Sequence, residues 1–127
     1  MSCDDPQHDY RTLVLELAKQ GDKLVRRALT DNTWNETSRL EFLGTVYLLG
    51  THGIQADAEK AVYLLQPAAA AGSAAASYYL GECLNFGIGI KQDRAKARLY
   101  YRISMRNRQY YDAAKQRLHD MSTSKAK

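Results

Sequence analysis

Apolar residues recur along this chain at helical intervals, in blocks. Residues 10 to 29, "YRTLVLELAKQGDKLVRRAL", carry Val14, Leu17, Ala18, Gly21, Leu24, Val25 and Ala28 at that spacing, which predicts one helix or two that break at Gly21. Residues 36 to 49 place Leu40, Leu43, Gly44 and Tyr47 on one stripe, and residues 73 to 86 place Ala76, Leu80, Gly81 and Leu84 on a matching one. Residues 110 to 121, "YYDAAKQRLHDM", add a last stripe of Ala113, Ala114, Leu118 and Met121.

Two of these blocks belong to a longer repeat. "FLGTVYLLGTHGIQADAEKA" at 42 to 61 is nearly rewritten as "YLGECLNFGIGIKQDRAKA" at 79 to 97. Gly44 and Gly81 are 37 apart, whereas Asp57 and Asp93, and likewise Lys60-Ala61 and Lys96-Ala97, are 36 apart. The difference falls in the turn, where "GTHGI" is one residue longer than "GIGI". A period of this size marks an array whose unit is one supersecondary element.

Each unit reads as helix, turn, helix. Gly50 and Gly87 are placed to close the first helix in the left-handed conformation, Gly53 and Gly89 to turn the chain, and Asp57 and Asp93 to cap the second helix. Gly44 and Gly81 fall inside helices, where each costs about 1 kcal/mol relative to alanine. That cost is offset if a neighbouring helix approaches closely, so both are expected at the contact between the helices of a unit. "PAAAAGSAAAS", residues 67 to 77, predicts two helix ends meeting at Gly72, with a kink at Pro67. The fold class is therefore all-α, an α/α superhelix: a short solenoid of antiparallel helix pairs with N- and C-terminal capping helices. Its expected parts are a single domain over 1–127 with capping helices at 8–34, repeats at 35–72 and 73–108, a capping helix at 109–121 and a disordered tail at 122–127.

Composition narrows the setting. A chain of 127 residues with 45% apolar content fits one domain with a buried core. No apolar run approaches the roughly 18 residues of a membrane span, and "MSCDDPQHDY" is acidic where a signal peptide would be basic, so a cytoplasmic location is expected. Cys3 and Cys83 have no ligand-spaced neighbours and read as free thiols; Cys83 aligns with Val46, which predicts a small buried apolar role. Charge is split: residues 1 to 90 hold 7 Lys/Arg against 11 Asp/Glu, and residues 91 to 127 hold 11 against 3. The basic last third points to an acidic partner.

Leu43-Gly44, Tyr47, Gly50, Gly53, Asp57 and Lys60-Ala61, echoed by Leu80-Gly81, Gly87, Gly89, Asp93 and Lys96-Ala97 and joined by Ala69, Gly72 and Ala76, resemble the Sel-one-like repeat, a relative of the tetratricopeptide repeats. The resemblance covers about 35 to 121. Leu84 in place of Tyr47, the extra His52 and Pro67 depart from it. It implies a right-handed superhelix that serves as a protein-binding scaffold and is not an enzyme. Short bacterial members resemble adaptors, or inhibitory partners encoded beside toxins.

Candidate chemistry is sparse. His8, His52 and His119 are far apart, and no metal-binding, phosphate-binding or nucleophile motif is present, so no catalytic residue, metal or cofactor is expected. The leading expectation is a non-catalytic protein-protein interaction module, a cytosolic adaptor, regulator or toxin-neutralising partner. It would bind through a groove around Glu41, Thr45, Leu48, Tyr79, Glu82 and Asn85. The pairs Tyr78-Tyr79, Tyr100-Tyr101 and Tyr110-Tyr111 each place one ring at least partly in solvent, because neighbours on a helix diverge by about 100°. Arg94, Arg98, Arg102 and Arg106 recur every four residues, forming either a solvated face or one that meets an acidic partner. With the interleaved tyrosines they keep RNA binding as an alternative. Self-association is a third, since only two full units are visible where three are usual; the chain would then be a weak homo-oligomer rather than a monomer.

Overall fold

The computed structural model describes residues 6–123, with side chains from residue 12. These residues form seven helices and no strand: α1 Pro6–Gln20, α2 Lys23–Thr30, α3 Glu36–Leu49, α4 Ala58–Ala70, α5 Ala74–Phe86, α6 Arg94–Ser104 and α7 Arg108–Thr123. The break at Gly21 is real, and α2 starts from its own N-cap, Asp22, whose carboxylate accepts from the N–H groups of Leu24 and Val25. Ser122 and Thr123 of the expected tail belong to α7. Cys3 and residues 124–127 lie outside the described residues.

The paired units are α3 with α4 and α5 with α6. Both are built by the same local chemistry. Gly50 and Gly87 cap α3 and α5 at φ 69° each, a conformation that a β-carbon would strain. Asp57 and Asp93 then start α4 and α6, their carboxylates accepting from Lys60 N–H and Lys96 N–H. Their own N–H groups return to the first helix, Asp57 to the Tyr47 carbonyl and Asp93 to the Leu84 carbonyl, at 2.9 Å each. That hydrogen bond fixes where the second helix starts on the first.

Gly44 and Gly81 mark the close approach within each unit. A β-carbon on Gly44 would lie 2.7 Å from Leu65 Cγ, and one on Gly81 would lie 3.1 Å from the ring of Tyr101. Leu65 and Tyr101 are wholly buried and stand 36 residues apart. They are the same knob in successive units. Around these contacts one continuous apolar core runs from Leu13 to Met121, with each fully buried Leu or Val worth about 1.5–3 kcal/mol of transfer free energy.

The two ends are joined to this core differently. At the N-terminal end the inserted residue His52, at φ 56°, accepts a hydrogen bond from Asp22 N–H through its carbonyl and meets the Asp22 carboxylate through Nδ1 at 2.9 Å. Its ring also leans on Phe42, which packs edge-on against Trp34. Deeper in the joint Glu16 of α1 accepts from Tyr47 Oη at 2.9 Å and Lys60 Nζ at 2.8 Å. At the C-terminal end α7 lies beside α5 as α5 lies beside α3, with Ala114 and Met121 buried.

Candidate functional site

Helices α3, α5 and α7 are the first helix of each unit and of the terminal part, and they lie side by side. Their opening turns surround a shallow polar recess lined by Thr37, Glu41, Ser73, Asn107, Gln109 and Tyr110. Ser73 doubles as the N-cap of α5, accepting from Ala76 N–H while its hydroxyl donates to Glu41 at 2.8 Å. Glu41 is thereby held facing the recess, with one oxygen engaged.

Beside the recess the tyrosines are stacked rather than splayed. Tyr78 and Tyr110 lie 5.6 Å apart with an interplanar angle of 30°, and Tyr79 meets Tyr78 edge-on at 5.5 Å and Tyr110 at 6.3 Å. Partial burial raises the Tyr78 and Tyr110 phenols. All three rings keep part of their surface in solvent, a form of exposure that gives wide contact at low entropic cost. Behind them Tyr101 is buried and donates to Glu82, whose oxygens also accept from Arg117 Nε at 2.7 Å and a terminal guanidinium nitrogen at 3.0 Å. The Glu82 hydrogen bond raises the Arg117 guanidinium well above its ordinary range.

The residues expected in the groove divide accordingly. Glu41, Thr45, Leu48 and Tyr79 are half-buried, Thr45 spending its hydroxyl on the Glu41 carbonyl. Glu82 is committed to Tyr101 and Arg117, and Asn85 is 7% exposed, its carbonyl bonded by Gln92. Those two leave a partner little to hold. Sequence reasoning missed Ser73 and Tyr110 as recess residues, and missed Arg117. A signal existed for the last: Arg117 stands one period beyond Leu80, which itself is one period beyond Leu43. A cation at that apolar place asks for an internal carboxylate.

The arginine stripe is also divided. Arg98 and Arg102 are exposed on α6; Arg94 starts the helix, half-buried, with its Nε buried and unpaired; Arg106 lies in the turn beyond the helix rather than on it. Of the interleaved tyrosines, Tyr101 is buried and Tyr110 is stacked, leaving Tyr100 half-buried and Tyr111 exposed. Cys83 is completely buried and its thiol is pushed up to about 11 by burial, then by Glu82. Among the described residues no group of His, Cys, Asp or Glu is arranged to hold a metal ion, and no helix is long and apolar enough to cross a membrane.

Comparison with known proteins agrees with this architecture. The solved Sel1 repeat protein of Oxalobacter formigenes superposes with a TM-score of 0.69 at 23% identity, over 89% of this chain and 45% of its own. The chain therefore spans less than half the length of that neighbour, and the likeness is one of fold. Comparison with the curated proteins gives no significant match. The family model for the Sel1 repeat matches twice, over residues 40–73 and 74–104. Sel1 repeats form a helical scaffold for protein interaction, and by these two matches the chain belongs to the Sel1 repeat family.

Proposed function

We propose that this chain is a non-catalytic module that holds a partner protein against the exposed side of α3, α5 and α7. In that role it acts as an adaptor, regulator or neutralising partner in the cytoplasm, without chemistry of its own. The recess at the start of the three helices carries the reading, because Glu41 and Tyr110 project there beside Tyr79. Tyrosine supplies contact area and the carboxylate supplies direction for a donor from the partner. Thr45 and Leu48 extend the surface along α3, while Glu82 and Asn85 support it from behind.

A photo-crosslinking residue placed at Tyr79, with a second at Glu59 on the outer side of α4 as the comparison, tests this in the native cell. The expected result is one protein adduct from position 79 that disappears in a Glu41→Ala plus Tyr110→Ala background with unchanged helicity. Adducts to nucleic acid alone, or equal yields from both positions, would sink the reading.

A further inference from the structure

Helices α4 and α6 occupy the same place in the two units, each with the following helix packed beside it, but side chains of α1 additionally reach the outer side of α4. Along α4, Lys60 is bound by both carboxylate oxygens of Glu16 on α1, at 2.8 and 3.1 Å. Thr12 and Leu13 of α1 line a recess there with Glu59, Lys60 and Tyr63, and Leu13 is buried. One period later Ala95, Lys96 and Leu99 stand where Glu59, Lys60 and Tyr63 stand. All three are exposed, Leu99 to 57%.

The exposed face of α6 is amphipathic in its own right. Ala97, Tyr101 and Ser104 face the core, and at 100° per residue Leu99 points roughly opposite to them. Ala95, Leu99 and the half-buried Ile103 follow each other at i, i+4 and i+8, a shallow apolar seam along the helix. Arg98 and Arg102 border that seam on one side and Lys96 on the other. Among the described residues none of these three cations takes part in an ion pair, whereas Arg27, Arg39, Lys60 and Arg117 each do.

We propose that this face of α6 is a second docking surface, for an acidic amphipathic helix of a partner protein, lying where the side chains of α1 reach α4 in the preceding unit. Apolar residues of the incoming helix lie on the Ala95–Leu99–Ile103 seam. A carboxylate reaches Lys96 as Glu16 reaches Lys60, and others meet Arg98 and Arg102 in charge-assisted pairs. Charge complementarity identifies the partner as acidic, and the seam identifies it as protein. A phosphate backbone makes no use of an exposed leucine, and of the tyrosines that could stack bases Tyr101 is buried and Tyr110 is already stacked on Tyr78. The proposal rests on the reading of the chain as a protein-interaction module, but not on the groove.

The test uses the full chain and a synthetic amphipathic peptide with leucines on one face and glutamates on both flanks. Comparison probes are the same peptide with lysines for glutamates and a single-stranded RNA oligonucleotide. Isothermal titration at low salt should show the acidic peptide binding. Binding should weaken about tenfold or more in Lys96→Glu plus Arg98→Glu, and several-fold in Leu99→Ser. Because all three positions are exposed, circular dichroism should be unchanged in the variants. Tyr79→Ala should bind the peptide as the unaltered chain does, so that failure of the groove reading leaves this result standing. The proposal is overturned if the acidic peptide does not bind, if the lysine peptide or the charge-reversed chain binds equally well, or if the RNA binds more tightly. It is likewise overturned if sedimentation shows that charge reversal abolishes a self-association of the chain, which would make a second copy the occupant.

Discussion

Gly44 and Gly81 stand at the same place in successive units, but the side chain that closes on the first is Leu65 and on the second is Tyr101. Repeat 1 keeps its buried tyrosine on the other helix of the pair, at Tyr47, and sends that hydroxyl outward to Glu16 of α1. In repeat 2 the place of Tyr47 is taken by Leu84, and the tyrosine of α6 reaches Glu82. Each unit thus has one buried ring, one carboxylate and one cation, with Lys60 serving the first trio and Arg117 the second. In the first trio the carboxylate is borrowed from α1, and in the second the cation is borrowed from α7. Equivalent helices have been tied to unlike neighbours through whichever partner was missing.

The strongest way to break this comparison is to make the second knob like the first. Tyr101→Leu empties part of the space below Gly81 and strips Glu82 of a donor, so it should cost about 3 kcal/mol by urea denaturation. A cost below about 1 kcal/mol would mean that the ring is incidental to the pairing. A finer distinction lies in the glycines themselves. Gly44→Ala puts a β-carbon 2.7 Å from Leu65, and should lose about 1–2 kcal/mol after the helix-propensity gain of alanine is counted. Gly81→Ala meets only a ring at 3.1 Å and should stay within about 1 kcal/mol of neutral, so equal losses would remove the difference between the two notches.

The smallest effect belongs to the Glu16 joint, and it is visible through pH. Hydrogen bonds from Lys60 and then Tyr47 hold the Glu16 carboxyl below its ordinary 4.5. Its contribution is thus complete above that value and is lost as the pH falls through the lower folded value. Lys60 is raised above its ordinary 10.5, chiefly by the hydrogen bond to Glu16, so its side of the pair is lost only as the pH rises beyond that. Both groups are about one-third exposed, which limits the pair to under about 1 kcal/mol. Thermal melts of Glu16→Gln should therefore fall slightly below those of the unaltered chain at neutral pH, the gap closing below pH 4.5. A gap that persists undiminished in acid would assign the effect to packing of α1.

The helices, their caps and the glycine contacts were legible because they depend on residues near one another in sequence. Asp57, Gly50 and the stripe of α3 state their roles within a dozen positions. The knobs were half legible: the period brings Leu65 and Tyr101 into register, but only the fold shows which glycine each one closes upon. The groove was the least legible part. Glu82 looks free on a helical stripe until Arg117, 35 residues away, is seen to hold it. His52 is hard to read for a related reason. In the sequence it is only an extra residue in the turn, whereas its carbonyl and ring receive Asp22 of the same chain. Pairings across non-periodic distances leave no local pattern.

The unequal knobs also bear on how the chain avoids folding into the wrong order. Repeats with interchangeable parts invite one unit's second helix to settle on another unit's first, a characteristic error of such arrays. Here a helix bearing a phenol would have to stand farther from α3 than α4 does, since Leu65 comes so near Gly44 that an added β-carbon would lie 2.7 Å from it. A leucine brought to Gly81 would leave Glu82 without the hydroxyl that meets it. Each first helix accepts its own successor in sequence and penalises the other, so the difference in side-chain size serves as a proofreading mark for assembly.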